Sequence, residues 1–494
     1  MTTVIPFPLR PTAAPGLFDG PSDSLGSKCG IPTPGPVSVA SRPVRKARRP
    51  VTAEDAASRI AARRRRFDLQ RIASSCLHEK DTHWKDQHRT VWCHRGTHRT
   101  ADRTLPVIRS ATGLGARLAD VVTCGQGWTC PVCAAKIAET RRAEMRLGME
   151  RWTEAGGSVY LLSLTLPHTA DQSCSEVLAQ LLDARVKWKN AKKVKAILSA
   201  AEGSAQAAGS ITALEVTVGW NGWHPHLHML TFARRTAFGE GPPAENGDLS
   251  SRDIDTLRLE WVRILMKVGA CQQAQAADVY RHGLNVRGGD KAAEYLAKYG
   301  EDCWDLSREV ASAHAKLGVR GTEAGFRHFS PFQLLAIADC EGPHRVQARA
   351  MFREFAAAFA KRRMLTWSPG LKARVGIADL SDEDIAAELA LPVPGEEFQV
   401  AELTHAQFGI LTATRSLGAF LEYVALECSE LHIAQDLIDT WIETRAAPGI
   451  DRHSPLYLRR NDSGQFMPAR YHYDETDGQP SPDTDPALSA WSYE

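Results

Sequence analysis

Three histidines stand at alternate positions in one short segment of this chain. The segment reads Gly222-Trp223-His224-Pro225-His226-Leu227-His228. Alternate residues of a β-strand point to the same face, so a strand here would bring the three imidazole rings together. Neutral imidazole is a common ligand of divalent metals. The segment therefore predicts a metal site on one face of a strand.

A glutamate on the preceding segment can complete this site. Asn221-Gly222 favours a two-residue type I′ hairpin turn, because both residue types accept positive φ angles. The register of that turn predicts Glu215 opposite His228 on the same face as His226. These three residues are the predicted ligands, and His224 is a further candidate that could instead support them. Two histidines with a carboxylate suit Mn, Mg, Zn or Fe and leave positions open for substrate oxygens.

Two tyrosines follow in the segment Glu294-Tyr295-Leu296-Ala297-Lys298-Tyr299. Asp290 is a favourable N-cap for a helix here, and residues four apart on a helix share a face, as Tyr295 and Tyr299 would. A phenol oxygen can attack a phosphodiester whose oxygen is polarised by a metal. The two segments together predict strand cleavage that leaves a 5′-phosphotyrosine and a free 3′-hydroxyl. Lys298 could orient the phosphate or the phenolate.

Four of the eleven cysteines predict a second metal site, of a structural kind. Three of them follow the spacing C-x5-C-x2-C, which suits zinc, and a thiol upstream is the favoured fourth ligand, with His94 or His98 as alternatives. Such a site would hold the basic N-terminal region in place or help to bind duplex DNA. The opposing interpretation is a group of free buried thiols. The predicted zinc ligands are Cys93, Cys124, Cys130 and Cys133.

Composition indicates a globular protein with a basic arm and an acidic tail. The chain of 494 residues is 43% hydrophobic and 24% charged, with a net charge of +2. Basic residues concentrate between Arg42 and Arg66 and acidic residues after Arg470, which favours a polyanionic partner at one place. No apolar run predicts a membrane span, and no secretory signal is visible. We therefore expect a cytoplasmic protein with no membrane partner.

The elements that would position these residues predict an α+β fold. The order β-α-β-β-α-β-α is that of a split βαβ, ferredoxin-like antiparallel sheet. Lysines around Trp188 on its first helix are a candidate DNA-binding face. The predicted elements are a strand over 159–166, a helix over 175–200, a hairpin over 210–232, a helix over 251–268, a strand over 277–286 and a helix from Asp290 to Tyr299.

Composition and pattern also divide the chain into five regions. The predicted regions are a disordered arm over 1–52, a basic helix with the cysteine cluster over 53–155, the α+β core over 156–325, a mostly helical region over 326–446 and a disordered tail over 447–494.

These segments, in this order, resemble the rolling-circle replication initiators of the HUH endonuclease superfamily. Residues 160–168 (Tyr-Leu-Leu-Ser-Leu-Thr-Leu-Pro-His) resemble the first motif of that family, 222–228 its metal-binding motif and 295–299 its tyrosine motif. Residues 128–137 and 329–335 resemble segments that flank the nuclease core in initiators of actinobacterial plasmids.

The resemblance implies an HUH core in which His226 and His228 bind Mg or Mn and Tyr299 is the nucleophile. Family members with two tyrosines on one helix can pass the strand between them, and members with one use a glutamate or water to end the cycle. In this chain Tyr295 could be the second nucleophile, and Glu294 is also available.

The implied activity is initiation of plasmid replication by nicking one strand at an origin and later rejoining it. The implied partners are duplex and single-stranded origin DNA, a host helicase and polymerase, and a second copy of the chain. A single-strand transposase or relaxase would share the same core. A zinc-containing DNA-binding regulator without nuclease activity is the alternative from another class.

Overall fold

The computed structural model describes most of the chain between residues 53 and 467. The described residues are 53–83, 85–97, 104–113, 115–198, 207–219, 221–234, 238, 248–288, 292, 329–342, 344–387, 395–446, 459–460 and 466–467. They belong to one compact unit, Arg45–Glu494. The predicted N-terminal arm and most of the predicted tail lie outside the described residues.

The strands of the described part form three antiparallel sheets. The largest has the order β6-β3-β5-β4-β7, a smaller one has the order β2-β1-β8, and β9 pairs with β10. The strands are β1 Thr104–Ser110, β2 Ala116–Leu118, β3 Gly157–Leu164, β4 Ala207–Gly219, β5 Gly222–Arg234, β6 Leu284–Arg287, β7 Leu365–Trp367, β8 Glu397–Thr404, β9 Arg459–Arg460 and β10 Phe466–Met467.

Along the chain, helices precede the strands of the large sheet, connect them and follow them. None that the structure describes is long and apolar enough to cross a bilayer. The helices are α1 Ala53–Leu77, α2 Pro131–Glu154, α3 Cys174–Asn190, α4 Lys192–Leu198, α5 Arg252–Lys267, α6 Ala276–His282, α7 Pro331–Asp339, α8 His344–Ala358, α9 Leu371–Arg374, α10 Asp382–Ala386, α11 His405–Ala413, α12 Leu417–Glu427 and α13 Leu431–Trp441, with 3₁₀ turns at Arg89–Trp92 and Gln273–Gln275 and a π turn at Ile442–Ala446.

The two faces of the large sheet are covered differently. On one face, alternate residues such as Leu162 and Leu227 pack against Trp188 of α3 and Trp261 of α5 in the main core. On the other face, an apolar half that includes Phe232 packs in a separate cluster with residues of α2 and α9. The polar half of that second face carries the histidines of β5, so the fold places them beside a packed apolar patch.

The small sheet joins the beginning of the described chain to its end. β1 pairs with β8 from Thr104↔Thr404 to Ser110↔Glu397, and α12 packs on α1. Gly418 permits that close packing, since a Cβ there would lie 3.2 Å from Arg64 Cα, and Arg63 Nε lies 2.9 Å from Glu422 Oε1 across the same contact. The predicted region boundaries stay a prediction.

The α+β class and the antiparallel sheet are confirmed, but one predicted strand is wrong. Most of the segment 277–286 is helix α6, and only Leu284–Arg287 forms the short strand β6. Alanines at its start favour helix, and Tyr280 on α6 donates a hydrogen bond of 3.0 Å to Asp255 Oδ1 of α5. The alternation of apolar and polar residues that predicted a strand therefore belongs to a short helix, which packs on α5.

Candidate metal centres

The hairpin β4–β5 forms as predicted, but its register is shifted by two residues. Gly219 pairs with Gly222, and Glu215 pairs with His226, whereas the prediction paired Glu215 with His228. Gly222 begins β5 with φ +85°, and a Cβ there would lie 2.9 Å from Thr169 O. The glycine is therefore needed at the strand start and not inside the turn. A shift of two keeps every side chain on its predicted face.

Three of the predicted ligands come together on the polar half of the second face. Glu215 Oε2 lies 3.3 Å from His226 Nε2 and 3.6 Å from His228 Nε2. One ligand atom from each residue lies within 4.8 Å of the other two. Their side chains are only partly exposed, at 32%, 15% and 19% in the order Glu215, His226, His228. The group could bind a divalent metal, with the carboxylate between the two rings.

The second ring nitrogen of each histidine is already engaged, which fixes how the rings point. His226 Nδ1 lies 3.2 Å from the carbonyl oxygen of His224, which can only accept, so Nδ1 carries the proton and Nε2 presents its lone pair. His228 Nδ1 lies 2.9 Å from Ser163 Oγ on β3. Hydrogen bonds of this kind orient metal-binding histidines in proteins. Both Nε2 atoms therefore face the carboxylate of Glu215.

The electrostatics keep His228 neutral. Burial lowers the pKa of His228 to about 4, more than Glu215 raises it, and the positive potential of Arg287 lowers it further. A neutral imidazole needs to lose no proton before it binds a metal. The ring is therefore in its ligand form throughout the physiological pH range.

His224 lies outside this group, next to a histidine that sequence reasoning did not single out. His224 Nδ1 lies 3.5 Å from His168 Nδ1, and the two ring centroids are 4.8 Å apart. His168 and Ser163 belong to the first-motif segment, and both are brought to the histidine face. Alternation along β3 could have placed Ser163 there, but the loop position of His168 carries no periodic signal.

The tyrosine segment, residues 294–299, lies outside the described residues. This applies to Glu294, Tyr295, Lys298 and Tyr299, whose roles stay predictions. Ala292, two residues before the segment, is described: its amide donates to Gly288 O at 3.1 Å, as in a helix. Ala292 is fully buried in the cluster that covers the apolar half of the second face. Ala292 thus packs on the same face of the sheet as the histidines.

The four predicted zinc ligands converge in a buried cluster. The Sγ–Sγ distances are 3.4 Å for Cys93–Cys133, 3.5 Å for Cys93–Cys130 and 3.6 Å for Cys124–Cys133. A disulfide would bring two sulfurs to about 2.05 Å, whereas a zinc ion bonded at about 2.3 Å would separate its thiolates by roughly 3.8 Å. All four cysteines are free thiols, and the cluster could bind a metal.

The surroundings of the cluster favour thiolate at Cys133. Cys130 is the N-cap of α2 and Cys133 lies in its first turn, where the helix dipole stabilises negative charge. Hydrogen bonds from the other three thiols lower the pKa of Cys133 well below its usual value. Burial raises the pKa of Cys93 and of Cys130 well above the usual value, so these two stay thiols until a metal replaces their protons. Of the alternative ligands, His94 packs its ring against Phe67 instead, and His98 lies outside the described residues.

Trp188 does not lie on the lysine-rich face of α3 and α4, which stays a candidate DNA-binding face. Trp188 is fully buried, and its Nε1 donates to Leu257 O at 3.1 Å, because the core needs that side of the helix. Lys187 lies 2.7 Å from Asp183. Lys189 donates to Ser210 Oγ at 3.2 Å, and burial lowers its pKa to about 8. Base stacking on Trp188 is therefore excluded in this conformation.

Comparison with known proteins gives two significant matches. A protein named Rep from Streptomyces lividans is 26% identical over 342 residues, which is 59% of this chain and 72% of that protein. A neomycin resistance protein from Streptomyces cyanogenus is 30% identical over 204 residues, 37% of this chain and 46% of that protein. No protein-family model and no solved structure matches. By sequence, this chain is therefore similar to a Rep protein.

Proposed function

We propose that this protein initiates plasmid replication by an HUH-type nick at a DNA origin. The observation that carries the proposal is the Glu215–His226–His228 group. It lies on the sheet face against which Ala292, two residues before Glu294, packs. The strand order β6-β3-β5-β4 also agrees with a split βαβ core. The similarity to Rep supports a role in replication.

The residues of the two segments divide the reaction between them. Mg or Mn held by Glu215, His226 and His228 would supply polarisation of a phosphate oxygen. The phenol oxygen of Tyr299 attacks phosphorus in line, so that an O–P bond to tyrosine forms and the bond to the 3′-oxygen breaks. The phenolic proton is lost and the 3′-oxygen leaves as a hydroxyl.

The remaining candidates act around this step. Lys298 orients the phosphate or the phenolate, and Tyr295 is available as a second nucleophile when the strand is rejoined. Glu294 is the alternative for ending the cycle by activating water. The released 3′-hydroxyl primes a host polymerase, with a host helicase and self-association as further proposed partners, in the cytoplasm. The cysteine cluster holds a structural zinc ion.

A cleavage assay with the intact protein tests this function. A single-stranded origin oligonucleotide labelled at its 3′ end should give a protein-linked band that survives denaturation with Mn or Mg and is absent with a chelator. The unlabelled fragment should be extended by a polymerase. Specific binding without any adduct would favour the regulator, and cleavage confined to element ends or a transfer origin would favour a transposase or relaxase.

Metal affinity should separate His228 from His224. Replacing His228 by alanine removes a ligand atom, and since losing even a supporting residue costs about 10–100-fold in affinity, we expect Mn binding to weaken by roughly 100-fold or more. His224→Ala should change the affinity far less, because His224 lies outside the ligand group. Calorimetric titration of Mn into each variant measures both values. Equal losses would return His224 to the ligand set.

A further inference from the structure

Three arginines line a cleft whose residues are distant in sequence from the candidate nuclease residues. It is bounded by α1, by the loop that follows Cys93 and by the junction of α11 with α12, and its volume is about 50 Å³. Arg71, Arg95 and Arg415 come from these three separate parts of the chain. One carboxylate, Asp68, also lines the cleft, and a second, Asp339, lies 3.5 Å from Arg71 at its edge.

The arginines are close enough to repel one another. Burial lowers the pKa of Arg71, Arg415 and Arg95 lower it further, and the carboxylates of Asp339 and Asp68 raise it in part. The guanidinium of Arg95 is anchored by a 2.7 Å hydrogen bond from Nη1 to Ser74 Oγ. Like charges gathered in a partly buried place are unfavourable unless an anion joins them. With three arginines against Asp68 on its wall and Asp339 beside Arg71, the cleft keeps a net positive charge.

The backbone at the cleft is held in an uncommon conformation. His94 and Arg415, which both line the cleft, have φ angles of +53° and +61°. Left-handed backbone is disfavoured for residues with a Cβ, and such strain concentrates where proteins bind ligands. Gln70, another wall residue, donates to Cys93 O at 2.7 Å, so the loop that carries Arg95 is clamped between α1 and the cysteine cluster.

We propose that this cleft binds a phosphate group, and that its source is the backbone of duplex DNA. Guanidinium groups match phosphate oxygens in paired hydrogen bonds. A volume of about 50 Å³ accepts roughly three to five water-sized groups, which fits one phosphate but not a nucleoside. A phosphate that protrudes from a polymer meets this limit. Such contacts fix the position of a protein on DNA without reading its sequence.

This inference rests on the proposed function only in that the protein binds DNA. It adds a binding site outside the sheet, built from the region around the cysteine cluster and the C-terminal helices. The phosphate site is tested by equilibrium binding of duplex DNA, so the result does not depend on whether the protein cleaves DNA. A protein that binds duplex DNA through the cleft but forms no adduct would keep this inference and overturn the nuclease.

The test uses the full-length, metal-loaded protein and the salt dependence of duplex binding. Arg71→Gln and Arg415→Asn each remove one guanidinium, and asparagine tolerates the left-handed backbone at position 415. Each should reduce the slope of log affinity against log salt by about 0.9, the value for one lost phosphate contact. Arg146→Gln is the matched control, because Arg146 is exposed on α2 outside the cleft, and it should leave the slope unchanged.

A second arm distinguishes free phosphate from the DNA backbone. Inorganic phosphate is titrated into the intact protein and the two cleft variants by calorimetry, after circular dichroism and bound-metal analysis show that all are folded. Loss of phosphate binding with an unchanged DNA slope would keep the anion site but overturn the DNA backbone as its source. If both variants match the intact protein in slope and in phosphate binding, the cleft binds no phosphate and the proposal is wrong.

Discussion

Replacing Tyr299 by phenylalanine is expected to lower the yield of covalent protein–DNA adduct by roughly 10³-fold or more, because the variant lacks the attacking oxygen. The substitution keeps the ring and removes one hydroxyl, so binding of the origin strand should change little. Denaturing gels of the 3′-labelled oligonucleotide measure the adduct, and fluorescence anisotropy measures binding. A loss of both would indicate a folding defect and would require the comparison below.

Tyr295→Phe is the matched control for this prediction, since it removes the same group from the tyrosine four residues earlier, on the same face of the predicted helix. If Tyr299 alone starts the cycle, Tyr295→Phe still forms the first adduct and fails only in the transfer to a second strand. An adduct that persists in Tyr299→Phe and disappears in Tyr295→Phe would exchange the two roles. Persistence in both single variants and loss in the double variant would make the tyrosines interchangeable.

The candidate metal group could be predicted from the sequence because successive side chains of a strand alternate between the two faces of the sheet. Glu215, His226 and His228 share a face in any register that differs by an even number of residues. The predicted turn was displaced by two, yet the same carboxylate faces the same rings. What the pattern could not give is the set of contacts between distant segments, such as Ser163 on His228.

Contacts between distant segments also explain why other features could not be predicted from the local sequence. The pattern of lysines around Trp188 is compatible with an exposed helix, but tertiary packing turns the indole into the core against Trp261. Residues 277–286 alternate, but the hydrogen bond from Tyr280 to α5 favours a helix. The pairing of β1 with β8 joins residues almost three hundred positions apart, and no local signal encodes such a contact.

Loss of the cysteine cluster's metal should have the largest effect on stability. Structural zinc sites contribute roughly 10–16 kcal/mol of apparent binding free energy in small peptides. In this chain the apolar neighbours Ile137 and Ile385 also pack on the cluster, so the loss in folding free energy should be smaller. We expect Cys130→Ser to lower the free energy of unfolding by several kcal/mol and the Tm by about 10 °C.

This loss of stability is expected because the cysteine cluster connects α1 to α2. The carbonyl oxygens of Thr90 and Cys93 accept hydrogen bonds of 3.3 Å and 2.7 Å from Gln70 of α1. Cys130, at the other side of the cluster, starts α2, which leads directly into β3. Removing the metal would leave buried thiolates to take up protons and repack, and α1 would lose the loop against which it is held.

Cys340→Ser is the control for this substitution. Cys340 lies outside the cluster, and its Sγ donates to Ala336 O at 3.1 Å, a bond that a serine hydroxyl can also make. Metal analysis should find one zinc per intact chain and per Cys340→Ser chain, and none in Cys130→Ser, with calorimetry giving the Tm of each. The opposite outcome is an intact protein that purifies without metal, whose four cluster thiols react with a thiol reagent, and whose Tm is the same with and without zinc. The cluster would then be a group of free buried thiols, because no ion would bind the four sulfurs that lie within 4.8 Å of one another.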